Sequence, residues 1–221
     1  MFIHVLIFNP FVFLHQRGFM KKICLISLAF FGIAFSATTA SAVESLPGKI
    51  YVGLDYNYAT ADYNNVSGGV NGEHVFANSF SGVTPYVGYQ FHPNFAAELG
   101  YFTTTREGKN VDPAIYGVGY KTTTQFSGAY LDAVANFQLV DRLYMLGDIG
   151  YARVNADIKQ VSATGFASKG SDDTNALITG LGLEYALTDA LRVRTMGRFV
   201  GTDFKSVDHL MLYSAGMNYR F

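Results

Sequence analysis

Nine ionisable side chains share one pattern. Asp55, Glu98, Asp132, Asp148, Glu184, Arg192, Arg194, Arg198 and Arg220 each fall on the polar or glycine-bearing side of a segment whose other side is apolar. Arg192, Arg194 and Arg198 are separated by even numbers of residues, which puts all three on one face of an extended chain. A guanidinium is a planar fork that matches a carboxylate two bonds at a time. A buried charge without a partner costs several kcal/mol. Five acids and four arginines aimed into one interior are therefore expected to pair, as a plug of salt bridges or, functionally, as a narrow ion path opened when pairs swap partners. A catalytic set is the other chemistry to consider, from His74, His92 and His209, with Asp208, Ser206 and Ser214 near the last. Adjacent strand residues point to opposite faces, so Asp208 and His209 are expected not to pair directly. Nothing in the sequence sets Ser206 or Ser214 against His209, and no enzyme is expected. The histidines are isolated and Cys24 is the one cysteine, so no metal-ligand spacing occurs and no cofactor is implied.

The elements that must position these charges are short and alternating. In the last stretch, Met211, Tyr213, Ala215, Met217, Tyr219 and Phe221 fall on one face and Ser214, Gly216, Asn218 and Arg220 on the other. This is the two-residue period of a β-strand. Seven earlier segments repeat it, at about Lys49 to Ala59, Phe80 to Phe91, Phe95 to Thr103, Thr123 to Leu139, Leu143 to Val154, Asn175 to Leu187 and Leu191 to Gly201. Pro85 is expected in the outer part of the second, at a bulge, because proline removes a ladder donor. The faces pair apolar and aromatic residues with Gly, Asp, Glu and Arg, which suits lipid outside and a polar lumen inside better than the core of a soluble sandwich. His92-Pro93-Asn94, Val140-Asp141-Arg142 and Thr188-Asp189-Ala190 are short turns. The polar stretch with Asn64-Asn65, Gly68-Gly69 and Asn71-Gly72, then Arg106 to Gly119 and Asn155 to Asp173, read as long external loops, while Thr202 to Ser206 is short. Eight strands with this alternation predict an all-β, antiparallel, up-and-down transmembrane β-barrel. Each segment reaches the roughly 9 residues that a tilted crossing strand needs.

The N-terminal part fits export. Residues 20–42 combine Lys21-Lys22, an apolar run from Ile23 to Phe35 and Ala40-Ser41-Ala42, the three parts of a signal peptide. Met1 to Phe19 is then expected to be a start-site overcall, with translation from Met20 and cleavage after Ala42, and residues 43–221 are expected to form the barrel domain. Of sixteen basic residues, Arg17, Lys21 and Lys22 precede Val43, whereas all seventeen acidic residues follow it. The mature chain is thus net negative by four, which offers nothing to a nucleic acid.

Two resemblances follow. Ser214-Ala-Gly-Met-Asn-Tyr-Arg-Phe221 resembles the terminal sorting signature of bacterial outer-membrane barrels, with Ser214, Gly216, Tyr219 and Phe221 at specified positions. Pro85-Tyr-Val-Gly-Tyr-Gln-Phe91, Phe95-Ala-Ala-Glu-Leu-Gly-Tyr101 and Gly180-Leu-Gly-Leu-Glu-Tyr-Ala-Leu-Thr-Asp189 resemble the hairpin motifs of the OmpA-like transmembrane domain. That resemblance implies an eight-stranded monomer in the outer membrane of a Gram-negative bacterium, with Glu98, Glu184 and Arg194 in a lumen charge network. It also implies contact with lipid, lipopolysaccharide and the barrel-assembly machinery. Because the chain stops at the barrel, a cell-wall tethering role is not expected. The expected function is structural or of the adhesion type, with Tyr63, Phe76, Tyr116 and Phe166 in loops that could meet a host surface or a phage. A narrow porin-like channel is the first alternative and an outer-membrane lipid-modifying enzyme the second.

Overall fold

Alternation along the chain decides which side of the wall each residue takes, and hydrogen bonding between neighbours decides where the wall ends. The computed structural model describes residues 48–63, 65–66, 70–111, 119–162, 165–202, 204 and 207–221. The start-site and signal segments with Cys24, the residues up to 47, Asn64, Gly68-Gly69, Asp112-Pro113, Tyr116 and Ser206 lie outside them. The strands are β1 (Lys49–Tyr63), β2 (Asn65–Val66), β3 (Val70–Asn71), β4 (Ser79–His92), β5 (Phe95–Thr104), β6 (Glu107–Val111), β7 (Tyr120–Val140), β8 (Leu143–Ser162), β9 (Ala167–Ala186), β10 (Leu191–Thr202) and β11 (Val207–Arg220). Among the described residues no helix is long and apolar enough to cross a membrane. Any crossing falls to the strands.

Nine strands form one antiparallel sheet in the order β5-β4-β1-β11-β10-β9-β8-β7-β6, and β5 also pairs with β7, which closes it. β6 continues β5 along the same edge of β7. Thr103 lies opposite Ser127 and Glu107 opposite Thr124, so four residues advance on one side against three on the other. β5 and β6 are one stave broken by a bulge at Thr105-Arg106, and the nine strands make a ring of eight staves. The first and last strands meet from Tyr51 opposite Arg220 to Tyr63 opposite Val207.

The outward face is greasy along its whole circuit. Leu54, Tyr56, Val87, Leu99, Leu131, Leu181, Leu183 and Met217 are all exposed there, with Tyr89, Phe91, Tyr185, Tyr219 and Phe221 near the short-turn end and Tyr58, Tyr101, Tyr151 and Tyr213 nearer the other. An apolar band between aromatic girdles is the lipid-facing surface of a membrane barrel.

Several expectations are corrected. Asn155 to Asp173 is no loop: β8 runs on to Ser162 and β9 begins at Ala167, paired from Asn155 opposite Asp173 to Val161 opposite Ala167. The outward face of this extension is polar, at Asn155, Asp157 and Lys159, while Ala156 and Ile158 face the apolar cluster, so the greasy outer side that marks a strand at the membrane is missing there. Arg106 to Gly119 likewise contains β6, and the first connection holds the small β2–β3 hairpin and a turn of 3-10 helix, Gly72–His74. Pro85 makes no bulge. Its rung to Leu54 is regular, and towards β5 the rungs at Thr84 and Pro85 drop out while the register on either side is unchanged.

The lumen is also not polar throughout. Towards the long-connection end the inward side chains include Ala59, Ala61, Tyr63, Phe80, Phe102, Phe126, Val154, Ile178, Val200, Leu210 and Leu212, joined by Val75 and Phe76 from the first connection. Barrel walls at this strand number leave room only for side chains, and the apolar ones fill this half.

Tyrosines pack on glycines across the inner wall. Gly53 lies opposite Tyr86 and Tyr51 opposite Gly88. A Cβ on Gly53 would sit 2.1 Å from the Tyr86 ring, and one on Gly88 would sit 2.0 Å from the Tyr51 ring. Either ring must move to admit a methyl group. Gly53→Ala and Gly88→Ala are each expected to lower stability by about 1–3 kcal/mol, the usual cost of overpacking. Urea unfolding of the refolded barrel in lipid vesicles checks this.

Candidate functional site

The nine charged positions come together inside the ring, in three layers. Nearest the short turns, Glu184 Oε1 accepts from Arg192 Nη1 at 3.0 Å and from Arg220 Nη2 at 3.0 Å, while its Oε2 accepts from Asn218 Nδ2 at 2.8 Å. Arg220 also donates to Gln90. In the middle, Arg194 holds both oxygens of Asp55, with Nε at 3.2 and 3.1 Å and Nη2 at 2.9 Å, and donates from Nη1 to Glu98 Oε1 at 2.8 Å. Tyr51 donates its hydroxyl to the same Glu98 oxygen at 2.8 Å. Against the apolar half, Arg198 Nε donates to Asp148 Oδ2 at 2.6 Å, and its Nη2 lies 3.6 Å from Glu98 and 3.7 Å from Asp132.

The register explains why these groups can meet. Arg194 and Asp55 stand on strands separated by β11, each opposite Gly216. A Cβ on Gly216 would sit 2.3 Å from Asp55 Oδ1. Carboxylate and guanidinium thus meet over the glycine that also belongs to the terminal signature. A single face of β10 supplies Arg192, Arg194 and Arg198, and the acids come from β1, β5, β7, β8 and β9 around it.

Tyrosines complete the network. Each arginine lies over one ring: Arg192 over Tyr144 at 4.7 Å, Arg194 over Tyr86 at 3.6 Å, Arg198 over Tyr130 at 5.1 Å and Arg220 over Tyr51 at 4.9 Å. A cation over an aromatic face gains about 0.5–2 kcal/mol, more when dry. These tyrosines were on the inward side of the sequence pattern, so their placement was readable. Their pairing with particular arginines depends on register across distant strands and was not. Between the last charged layer and the apolar half, Asn57, Thr84, Phe102, Tyr130, Ile178, Arg198, Leu212 and Ser214 enclose about 10 Å³, close to the minimum for a single water.

The outer rim departs from expectation. His209 Nδ1 lies 3.2 Å from Asp208 Oδ2, and its Nε2 lies 3.9 Å from Asp62 Oδ2. The two neighbours pair because Asp62 is opposite His209 and Tyr63 opposite Val207, which leaves Asp208 as the extra residue of a bulge. A bulge turns a side chain out of the alternation. Phe199 stacks on the His209 ring at 5.0 Å. Thr60, Asp62, Glu73, Asn78, Ser79 and His209 border an open cleft of about 220 Å³ beside it. Ser214 is on the inner wall opposite Asn57, five positions along β11 from His209. His74 is exposed in the 3-10 turn, and His92 Nδ1 accepts from the Asn94 amide in a short turn at 3.1 Å. Among the described residues no group of His, Cys, Asp and Glu side chains is arranged to hold a metal.

The remaining terminal-signature residues sit on the wall. Gly216 faces in, while Tyr219 and Phe221 face out with their rings in edge contact at 5.2 Å, and the Phe221 amide donates to Ile50 at 3.0 Å. Two of the four loop aromatics are not contact residues. Tyr63 and Phe76 stack at 5.2 Å and are buried in the barrel mouth, whereas Phe166 is 74% exposed at the hairpin tip.

Comparison with known proteins matches this geometry. Solved structures with similar folds include the attachment invasion locus protein Ail of Yersinia pestis in complex with the heparin analogue sucrose octasulfate. It is 15% identical, with a TM-score of 0.54, over 80% of this chain and 100% of that one. Neisserial surface protein A (NspA) is 16% identical, with a TM-score of 0.56, over 79% and 99%. The outer membrane protein OprG of Pseudomonas aeruginosa is 12% identical, with a TM-score of 0.53, over 79% and 96%. No curated protein sequence matches the chain significantly. Residues 48–221, the whole closed ring with its charged layers, match the OmpA-like transmembrane domain, and the chain belongs to that family of Gram-negative outer-membrane barrels.

Proposed function

We propose that this barrel is a surface-interaction protein of the adhesion type, with the β8–β9 extension as its contact element and the lumen as a plug. The observation that carries this reading is an unpaired strand edge. β10 stops at Thr202, opposite Ala176, so among the described residues β9 from Ala167 to Asn175 is bonded on one side only, to β8. These residues are almost all exposed. A free edge offers a row of amide and carbonyl groups to an incoming extended segment. Lys169, Asp172 and Asp173 on it discourage indiscriminate pairing, which suits a selective contact. On the outward face, Lys159 stands directly opposite Lys169, a like-charge pair that an anionic surface would relieve. The likeness to Ail and NspA is one of fold, and it supports a surface role because both carry such names.

In this reading the barrel works as a monomer, since closure leaves no free edge within the membrane. Lipid and lipopolysaccharide surround it, and the assembly machinery reads Ser214, Gly216, Tyr219 and Phe221. No catalysis is part of the proposal: His209 is occupied by two carboxylates and an aromatic face, and Ser214 is turned inward. Replacing Ile158–Gly170 by Asn-Gly joins Asp157 to Ser171, which are already partners across the hairpin. The shortened protein is expected to remain a heat-modifiable barrel and to lose at least about tenfold in binding to host cells or in phage adsorption, by the loss of a contact worth more than 1.4 kcal/mol. Undiminished binding leaves only a structural role.

The plug follows from the charged layers and the apolar half stacked on them. Arg194→Ala would strand Asp55 and Glu98 in a dry interior, with an expected destabilisation of about 3–5 kcal/mol. Planar-bilayer recording is expected to show negligible conductance for the parent and the variant alike. A steady current in the parent that changes with Arg194 would establish the narrow channel instead.

A further inference from the structure

The charge in the three lumen layers does not balance where it needs to. Near the short turns one acid, Glu184, meets Arg192 and Arg220; in the middle two acids, Asp55 and Glu98, meet Arg194. The spare positive charge of the first layer offsets the spare negative charge of the second. In the third layer, Asp132 and Asp148 share Arg198 alone, beneath Phe102, Ile178 and Leu212. One carboxylate there is in excess, and both are buried. An isolated carboxylate in such a medium is neutralised rather than left charged.

The geometry identifies which one. Asp148 Oδ2 takes the close bond from Arg198 Nε at 2.6 Å. Asp132 is 1% exposed, and neither of its oxygens has a hydrogen-bond partner. Its nearest cation, Arg198 Nη2, is 3.7 Å away and lies as near to Glu98, at 3.6 Å. The backbone makes room for both acids. A Cβ on Gly150 would sit 2.0 Å from Asp132 Oδ1, and one on Gly180 would sit 2.5 Å from Asp148 Oδ1.

We propose that Asp132 is a proton-binding site, holding one proton at neutral pH and supplying the positive charge that the third layer lacks. The charged and titratable groups facing it are Glu98 from β5, Tyr130 from β7, Asp148 from β8 and Arg194 and Arg198 from β10; Gly180 of β9 adds no charge. As a carboxylic acid Asp132 gains an O–H donor beside two acceptors without a hydrogen bond, Oε2 of Glu98, its cross-strand partner in the middle layer, and Oδ1 of Asp148 in its own. A proton suits the site better than a metal ion, because no metal-holding group of side chains occurs among the described residues and the enclosed space beside Arg198 is only about 10 Å³. The bound proton leaves the plug electrically neutral, which removes a reason for water or ions to enter.

The test uses the whole mature barrel refolded in detergent micelles. Infrared spectra at neutral pH should show the C=O stretch of a protonated carboxyl group, absent in Asp132→Asn and retained in Asp173→Asn, which changes an exposed acid. Because asparagine copies the shape of the neutral acid, Asp132→Asn should fold and unfold in urea at or above the parent's midpoint. Asp148→Asn, which takes the bonded partner from Arg198, should unfold at a lower one. The proposal is overturned by a parent spectrum without the band, by a band that survives in Asp132→Asn, or by failure of Asp132→Asn to fold. A parent midpoint that rises when sodium replaces choline at constant ionic strength would also overturn it, since a bound cation would then be doing the neutralising.

Discussion

Everything in this molecule follows from the requirement that no backbone N–H or C=O be left unpaired in hydrocarbon. A sheet can meet that requirement only by closing on itself. The closed ring sets β1 beside β11, so the first and last strands are bonded to each other along Tyr51–Tyr63 and Val207–Arg220. The aromatic end of the chain is consequently part of the wall: the Phe221 amide still reaches Ile50. Closure also fixes the inside. Once the register is set, the two-residue period leaves no choice about which side chains meet at the axis.

What meets there is divided by the cost of burying charge. Arginines on one strand face acids from five others, and each guanidinium is covered by a tyrosine ring that excludes water from one side. Glycines are the complement of this crowding. Gly53 and Gly88 take the tyrosine rings, and Gly216 lets Asp55 reach Arg194 across an intervening strand. The other half of the lumen solves the same packing problem with Phe80, Phe102, Phe126 and Leu210 and needs no partners. A charged half and an apolar half are thus stacked along the axis.

Much of this was legible in the sequence wherever one face of a strand meets lipid and the other a crowded axis. The Leu143 to Val154 segment reads correctly because Met145, Ile149 and Tyr151 contrast with Tyr144, Asp148 and Gly150. Beyond Val154 the same strand continues for eight more residues to Ser162, and it was not read because its outward side, Asn155, Asp157 and Lys159, is polar and lacks the greasy face of a strand at the membrane. The charged candidates were readable as a set, since parity alone places them inside. Which acid meets which arginine was not, because Asp55 and Arg194 are far apart in the chain and are brought together by strand order and stagger. The apolar half of the lumen was missed for another reason. Ala59, Phe80 and Leu210 fall on inward positions, but the expectation of a wet lumen gave no place to apolar side chains there. The Asp208–His209 pair was excluded by an alternation rule that a single bulged residue suspends.

The extension of β8 and β9 turns the closure argument around. Inside the membrane an unpaired edge is prohibitively costly, and the ring has none. Above it, water can satisfy the same groups, so an edge is allowed but not required. β9 nevertheless keeps an extended, hydrogen-bonded form from Ala167 to Asn175 beside β8, although β10 has already ended. The extension is the outer edge of a four-stranded run, β6-β7-β8-β9, because β7 stays paired with β8 from Ser127 opposite Asn155 to Tyr120 opposite Ser162. It persists here as the continuation of staves anchored in the barrel below. That anchoring removes much of the ordering cost that a flexible loop would meet on binding. Under the proposed function, a preformed strand edge is therefore a cheaper contact surface than a loop of the same composition, and the staves below hold it in place.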